Sequence, residues 1–141
     1  MTFLIIGIIA SLALLILCTQ QYYKSKKKYL PKRIITAYES RMYVRLKEAF
    51  PAYHVLAQVA FSALITSHQL KIRNQFNRKV TDFVLLDASL RAIVIIELDD
   101  PTHLYKIKED QFRDYMLNEA GYRVIRYTSI PSINQLQKDI P

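Results

Sequence analysis

The longest apolar run of the chain lies at its amino terminus. Residues 3–18 carry no charge, and with the following residues through Tyr22 and Tyr23 the run is long enough to span about 30 Å of hydrocarbon. We therefore predict a transmembrane anchor over residues 1–23, with Tyr22, Tyr23 and Lys24 at the membrane interface. A cleaved signal peptide is the alternative, but no basic region precedes the run and no A-x-A-like site follows it.

A basic segment follows the apolar run, with six Lys or Arg residues between positions 24 and 33. Basic residues beside a membrane-spanning helix are retained on the cytoplasmic side. We therefore predict a juxtamembrane linker over residues 24–33. The amino terminus is expected outside the membrane, and residues 34–141 in the cytoplasm.

From residue 34 onward, the spacing of apolar residues alternates between helical and strand-like. Thr36 and Glu39 have the spacing of a capping box, and they precede apolar residues at helical intervals up to residue 49. Glu39 has two open roles: bonding back to the Thr36 amide, which we favour, or standing as a third carboxylate beside a metal ion. Residues 51–61 are typical of a first strand, where the buried amide of Gln58 needs a partner, either at a strand edge or at a metal-bound water or phosphate.

Two further apolar runs, residues 80–87 and 92–96, are typical of strands buried on both faces. A two-residue turn at Ala88-Ser89 would join them as an antiparallel hairpin, with Val84 facing Ile93 and Asp82 facing Ile95. In that register Asp82, Glu97 and Asp99 point to one face, and Asp82 and Glu97 are diagonal neighbours roughly 7 Å apart. Two carboxylates at that separation can share Mg²⁺ or Mn²⁺.

The second of these strands ends in acidic residues, followed by His103. Residues 106–120 predict a helix with Phe112, Met116 and Ala120 on one face, and Gly121 is expected to cap it before a final strand over residues 122–127. Asp110 has two open roles, orienting the ring of His103 or placing a negative charge near the positive end of the helix dipole. Arg126 is expected to pair with Asp110 or Asp114, with a phosphate contact as the alternative.

Residues 67–79 predict the longest irregular stretch of the chain. They contain Lys71, Arg73, Arg78 and Lys79 and no acidic residue. Interleaved amide side chains could donate to phosphate oxygens, so one interpretation is a loop that contacts a nucleic-acid backbone. The alternative is an ordinary solvated surface.

Composition adds limits to these predictions. The formal charge of +8 falls to +2 once the basic segment at positions 24–33 is set aside. The positive charge is therefore mainly a signal of membrane topology and only weak evidence for nucleic-acid binding. The one cysteine, Cys18, lies in the apolar run, which excludes disulfides and cysteine-based zinc sites from residues 34–141. That segment suffices for one small domain.

The predicted order of helix, strand, hairpin, helix and strand is the αβββαβ core of restriction-endonuclease-like nucleases. The residues themselves carry a resemblance: T-D-F-V-L at 81–85, I-E-L-D-D-P-T-H at 96–103, E-D-Q-F-R-D at 109–114 and A-G-Y-R-V-I-R at 120–126. In this order they resemble a bacterial branch of the PD-(D/E)XK superfamily that is similar to the very-short-patch mismatch-repair endonuclease. No single piece is specific, but together with T-x-x-E at 36–39 and Q-V at 58–59 the ordered set covers nearly all of residues 34–127.

The resemblance implies roles for particular residues. Asp82 and Glu97 match the two metal-binding acids, Glu39 matches the acid of the first helix, and Gln58 matches a polar strand position near the site. The superfamily's lysine, two residues after the glutamate, is replaced here by Asp99. His103 resembles the histidine that substitutes for this lysine in the mismatch-repair-like branch, and its expected role is general base or ligand of the scissile phosphate. Lys79 is a poor replacement for the lysine unless the strand begins after it.

The sequence thus predicts an α/β protein, with one restriction-endonuclease-like αβββαβ domain after a single transmembrane helix. Its expected activity is Mg²⁺- or Mn²⁺-dependent hydrolysis of phosphodiester bonds in DNA or RNA, with Asp82, Glu97, Asp99 and His103 as catalytic residues. Its expected location is the inner membrane of a bacterium. The alternative is an inactive nuclease-fold module that binds nucleic acid or protein at the membrane.

Overall fold

The computed structural model describes residues 1–25, 29–99 and 107–140. The chain divides into two compact units, residues 1–32 and 33–141. The first contains helix α1 (Thr2–Ser25), whose 24 residues extend about 36 Å at 1.5 Å per residue. Its segment Thr2–Lys24 is long and apolar enough to cross a membrane, as the sequence predicted, and Tyr22, Tyr23 and Lys24 lie near its carboxyl end.

The second unit is a mixed α/β structure built on a four-stranded sheet, which confirms the predicted class. Strand order follows the chain; the first three strands are antiparallel and the fourth is parallel to the third. In the described residues, the elements of this unit are α2 (Ala37–Ala49), β1 (His54–Ala60), α3 (Phe61–Leu64), α4 (Leu70–Phe76), β2 (Val80–Leu86), β3 (Ala92–Leu98), α5 (Ile107–Glu119), β4 (Val124–Tyr127) and α6 (Ile133–Asp139).

The sheet has a hydrophobic core on each face, which explains why the β2 and β3 sequences are continuously apolar. On one face, Phe83 and Ile96 lie in a core with Met42 and Leu46 of α2 and with Leu136 of α6. On the other face, alternate strand residues lie in a core with residues of α3, α4 and α5: Phe61, Phe76, Val84, Ile95, Met116 and Leu117.

Local signals at helix ends are confirmed. Thr36 accepts a hydrogen bond from the Glu39 amide and Glu39 accepts one from the Thr36 amide, so the capping box that opens α2 is complete. Gly121 lies at φ +90°, where the Gly121 amide donates to Asn118 and the Tyr122 amide to Leu117. This is the left-handed turn expected after α5.

One element prediction is wrong. Residues 67–79 were expected to be irregular, but they contain α4, whose Phe76 side chain is buried. Of the three residues expected on one face of α5, Met116 is buried, whereas Phe112 and Ala120 are exposed; Phe112 stacks on Tyr115, with ring centroids 6.5 Å apart. The buried side chains of α5 are those of Met116 and Leu117.

The predicted hairpin register is also wrong. The turn is wider than two residues, because the Asp87 carboxylate accepts hydrogen bonds from the amides of Ser89 and Arg91. Leu86 therefore pairs with Ala92, and a bulge between Leu85 and Leu86 shifts the pairing once more. Val84 consequently faces Ile95 rather than Ile93. Two one-residue shifts restore the original alternation, so the faces to which side chains point do not change.

Candidate functional site

The register aligns one polar residue from each strand across the sheet. Glu97 of β3 pairs with Arg126 of β4. Continuing the β2–β3 pairing by one residue places Asp82 opposite Glu97, and the β1–β2 pairs on either side place Gln58 opposite Asp82. We call these four residues, Gln58, Asp82, Glu97 and Arg126, the polar row.

Asp82 and Glu97 form the centre of the polar row as direct neighbours, not the diagonal pair expected from sequence. The Asp82 amide donates to Glu97 Oε2 at 3.3 Å, and the Leu98 amide donates to Asp82 Oδ2 at 2.8 Å. Each carboxylate is thus bonded to the backbone of the neighbouring strand. These reciprocal bonds hold two acids together on the sheet face that α5 covers.

Burial makes both acids hard to ionise. Glu97 is 3 % exposed, and burial, opposed by the Arg113 guanidinium, raises its pKa to about 7. The pKa of Asp82 is also raised, first by burial and then by the negative charge of Glu39, although the Leu98 amide opposes that shift. Both pKa values are raised because the carboxylates are shielded from water and lie close to other negative charge. A bound cation would therefore lower both pKa values.

Gln58 links the polar row to α2. Its φ of +54° is in the left-handed region that residues other than glycine rarely adopt, and it interrupts the ladder between Ala57 and Val59. The Gln58 amide donates from Nε2 to Glu39 Oε1 at 3.3 Å. Glu39 therefore performs the capping role favoured from sequence while remaining close enough to Asp82 to affect its pKa.

Arg113 of α5 is the cation in contact with Glu97 among the described residues, and it was not singled out from sequence. Its Nη2 donates to Glu97 Oε1 at 2.9 Å and to the Val80 carbonyl at 2.7 Å. Its guanidinium lies 5.3 Å from the centre of the Phe61 ring. The signal that could have identified it is its helical spacing from Met116 and Leu117, which places a charged residue on the buried stripe of α5.

Arg126, at the β4 end of the polar row, interacts with three carboxylates. It donates to both oxygens of Asp114 at 2.8 Å and to Asp99 Oδ1 at 2.6 Å, and its Nη2 lies 3.8 Å from Asp110 Oδ1. The pairing with α5 expected from sequence is therefore present. Asp99 occupies the sequence position of the superfamily's lysine, and its side chain pairs with Arg126.

The remaining predicted site residues lie apart from the polar row or outside the described residues. His103, which Asp110 would orient in one of its two open roles, lies outside the described residues. Lys71 and Arg73 are exposed on α4, and Arg78 and Lys79 precede β2. If Lys79 were part of the strand, alternation would place it on the face opposite Asp82 and make it a poor replacement for the lysine. Strand β2 begins at Val80, so this argument does not apply to Lys79.

The donor chemistry of the central pair fits a hard divalent cation. In the ranges 1–25, 29–99 and 107–140, no three His, Cys, Asp or Glu side chains are grouped to hold a metal ion. Mg²⁺, however, commonly uses one or two carboxylates and keeps several water ligands. Asp82 and Glu97 are such a pair, with Arg113 as the competing positive charge.

Comparison with known proteins identifies a family for most of the chain. No curated protein matches the sequence, and no solved structure does. Residues 31–141, which include every element from α2 to α6, match the family described as "Protein of unknown function (DUF2726)". The chain therefore belongs to the DUF2726 family.

Proposed function

We propose that this protein is a membrane-anchored, divalent-metal-dependent nuclease. The observation that carries the proposal is the direct juxtaposition of Asp82 and Glu97 on neighbouring strands. The element order α2, β1, β2, β3, α5, β4 supports a restriction-endonuclease-like αβββαβ core, with α3 and α4 inserted between the first two strands. The two acids have the positions that the resemblance to PD-(D/E)XK nucleases gives to its metal-binding residues.

The charge balance supports a cation at this site. Six carboxylates and two guanidinium groups are linked around the polar row, a formal charge of −4 when all are ionised: Glu39, Asp82, Glu97, Asp99, Asp110 and Asp114 against Arg113 and Arg126. Such a site repels a phosphodiester unless a cation is bound between them. Bound Mg²⁺ or Mn²⁺ would lower the pKa of an attacking water and stabilise negative charge on the phosphate.

The chain's own residues have separate tasks in this proposal. Asp82 and Glu97 hold the cation, and the amides of Asp82 and Leu98 keep the two carboxylates in place. Gln58 and Glu39 fasten the β1 edge of the site to α2. Asp99 is held by Arg126, and His103 is proposed from the sequence resemblance as general base or phosphate ligand.

Nucleic acid is the proposed substrate class. Lys71, Arg73 and Arg78 are exposed and Lys79 is half-buried; all four are proposed to contact phosphates of the nucleic-acid backbone. Helix α1 is proposed to anchor the chain in the inner membrane of a bacterium, with the amino terminus outside and residues 33–141 in the cytoplasm. The accessible substrates would then be DNA or RNA close to the inner face of that membrane.

The proposal is tested by cleavage assays on the full chain in nonionic detergent. Plasmid DNA, single-stranded DNA and RNA are incubated with Mg²⁺ or Mn²⁺, and D82N and E97Q are expected to abolish metal-dependent cleavage. D87N is the matched control, because Asp87 lies in the same hairpin but binds Arg91 at the turn. Cleavage that survives both D82N and E97Q would remove the enzyme proposal.

A binding module without turnover is the second candidate. It is favoured by the engagement of Glu97 with Arg113 and by the absence of the superfamily's lysine, since Asp99 occupies its position. This candidate predicts nucleic-acid binding by the wild-type chain with no cleavage in either metal. Gel-shift titrations beside the cleavage assay distinguish the two, and R73Q is expected to weaken binding in both cases.

A further inference from the structure

Arg113 is held beside the two acids by three different contacts. Nη2 bonds both Glu97 Oε1 and the Val80 carbonyl, and the guanidinium packs against the ring of Phe61. Its Nε is buried and has no hydrogen-bond partner among the described residues, so Glu97 does not give this arginine the two parallel bonds that a carboxylate can offer. The other Glu97 oxygen, Oε2, accepts the Asp82 amide instead.

Both Glu97 oxygens are thus engaged within the protein. A cation held by Asp82 and Glu97 must share or replace the Arg113 contact at Oε1, because a guanidinium and a divalent cation repel each other and seek the same oxygen. Arg113 can lose this contact without being released, since the Val80 carbonyl and the Phe61 ring still hold it. The arrangement therefore has a cation-free state in which Arg113 supplies the positive charge.

We propose that Arg113 is the built-in counter-ion of the site, and that a divalent cation binds in competition with it at Glu97. The inference rests on the proposed cation site at Asp82 and Glu97. It assigns Arg113 a regulatory effect on cation affinity. At low cation concentration Arg113 offsets part of the negative charge of the free site, and the affinity for Mg²⁺ or Mn²⁺ is set below that of an unopposed pair of carboxylates.

The test measures Mn²⁺ affinity of the full chain in nonionic detergent by the electron paramagnetic resonance signal of free Mn²⁺. R113Q and R113M are expected to bind Mn²⁺ about tenfold more tightly than wild type, the size expected from losing one charge-assisted hydrogen bond. Glutamine retains a donor for the Val80 carbonyl, and methionine retains an apolar stem against Phe61, so at least one neutral variant should keep the fold. Urea titration followed by circular dichroism checks the fold of each.

The controls locate the effect. R91Q removes an arginine from an ion pair at the hairpin turn and is expected to bind Mn²⁺ as wild type does. Adding D82N to R113Q is expected to abolish the gain. If wild type binds Mn²⁺ and both neutral variants bind it equally or less tightly, or if the gain survives D82N, the counter-ion role is overturned while the cation site stands. Failure of wild type and both variants to bind Mn²⁺ overturns the cation site as well.

Discussion

Glu97 makes the stability of the folded protein fall as pH rises through neutrality. Its side chain is 5 % exposed, and burial raises its pKa to about 7 from an ordinary value of 4.5. The folded state therefore keeps a proton that the unfolded state releases at lower pH. Stability from this group is complete below about pH 4.5 and is lost as pH rises through about 7.

The size of the effect follows from the two pKa values. The difference between 4.5 and about 7 corresponds to about 3 kcal/mol of unfolding free energy between pH 4 and pH 8. Asp82 acts in the same direction, since its pKa is raised as well. E97Q has no proton to lose, so its stability is expected to depend much less on pH over this range.

The assay is urea unfolding of the full chain in nonionic detergent with a chelator present, followed by circular dichroism at several pH values from 4 to 8. Helix α1 is expected to stay folded in the micelle, so the transition reports residues 33–141. E48Q is the matched control, because the Glu48 side chain is 54 % exposed and pairs with Arg45 on the same helix. A wild-type stability that increases from pH 5 to 8, or an E97Q profile parallel to wild type, would refute the assignment to Glu97.

Four further substitutions, at three positions, test the contacts around the site and the local signals in the helices, each by the same urea assay at pH 7. R126M leaves the carboxylates of Asp99 and Asp114 without their guanidinium and is expected to cost about 3 kcal/mol. R126K should recover only part of that loss, because an ammonium group cannot make the two parallel bonds to Asp114; equal stability of all three proteins would contradict the network. G121A should cost about 1 kcal/mol, since φ is +90° and the added Cβ meets no atom within 4 Å; an unchanged midpoint would argue against the left-handed turn. T36A should cost about 1 kcal/mol and speed amide exchange in the first turn of α2; unchanged exchange would count against the cap.

Features that depend on neighbouring residues could be read from the sequence. The capping box at Thr36 joins groups only three positions apart, and the turn at Gly121 needs only a residue tolerant of positive φ. The apolar runs of β2 and β3 and the apolar length of α1 are likewise properties of single segments. Each signal lies within one continuous segment of the chain, so residues elsewhere in the protein can do little to override it.

Register and side-chain partners could not be read in the same way. The Asp87 hydrogen bonds widened the hairpin turn, and the bulge beside Leu86 then shifted the pairing again, which made the acids direct neighbours. Nothing in the sequence near Glu97 indicates Arg113, which is 16 residues away and reaches the site only because α5 packs on the sheet.

The sequence by itself determined the kinds of segment in this protein other than the short helices α3 and α4, its acidic strand end and its apolar amino-terminal helix. Only the tertiary structure decided that one polar residue from each strand forms a row and which arginine neutralises which acid. The physical reason is range: propensity and capping act within a few residues, whereas strand pairing and ion pairs depend on groups that come together only when the sheet and α5 have packed.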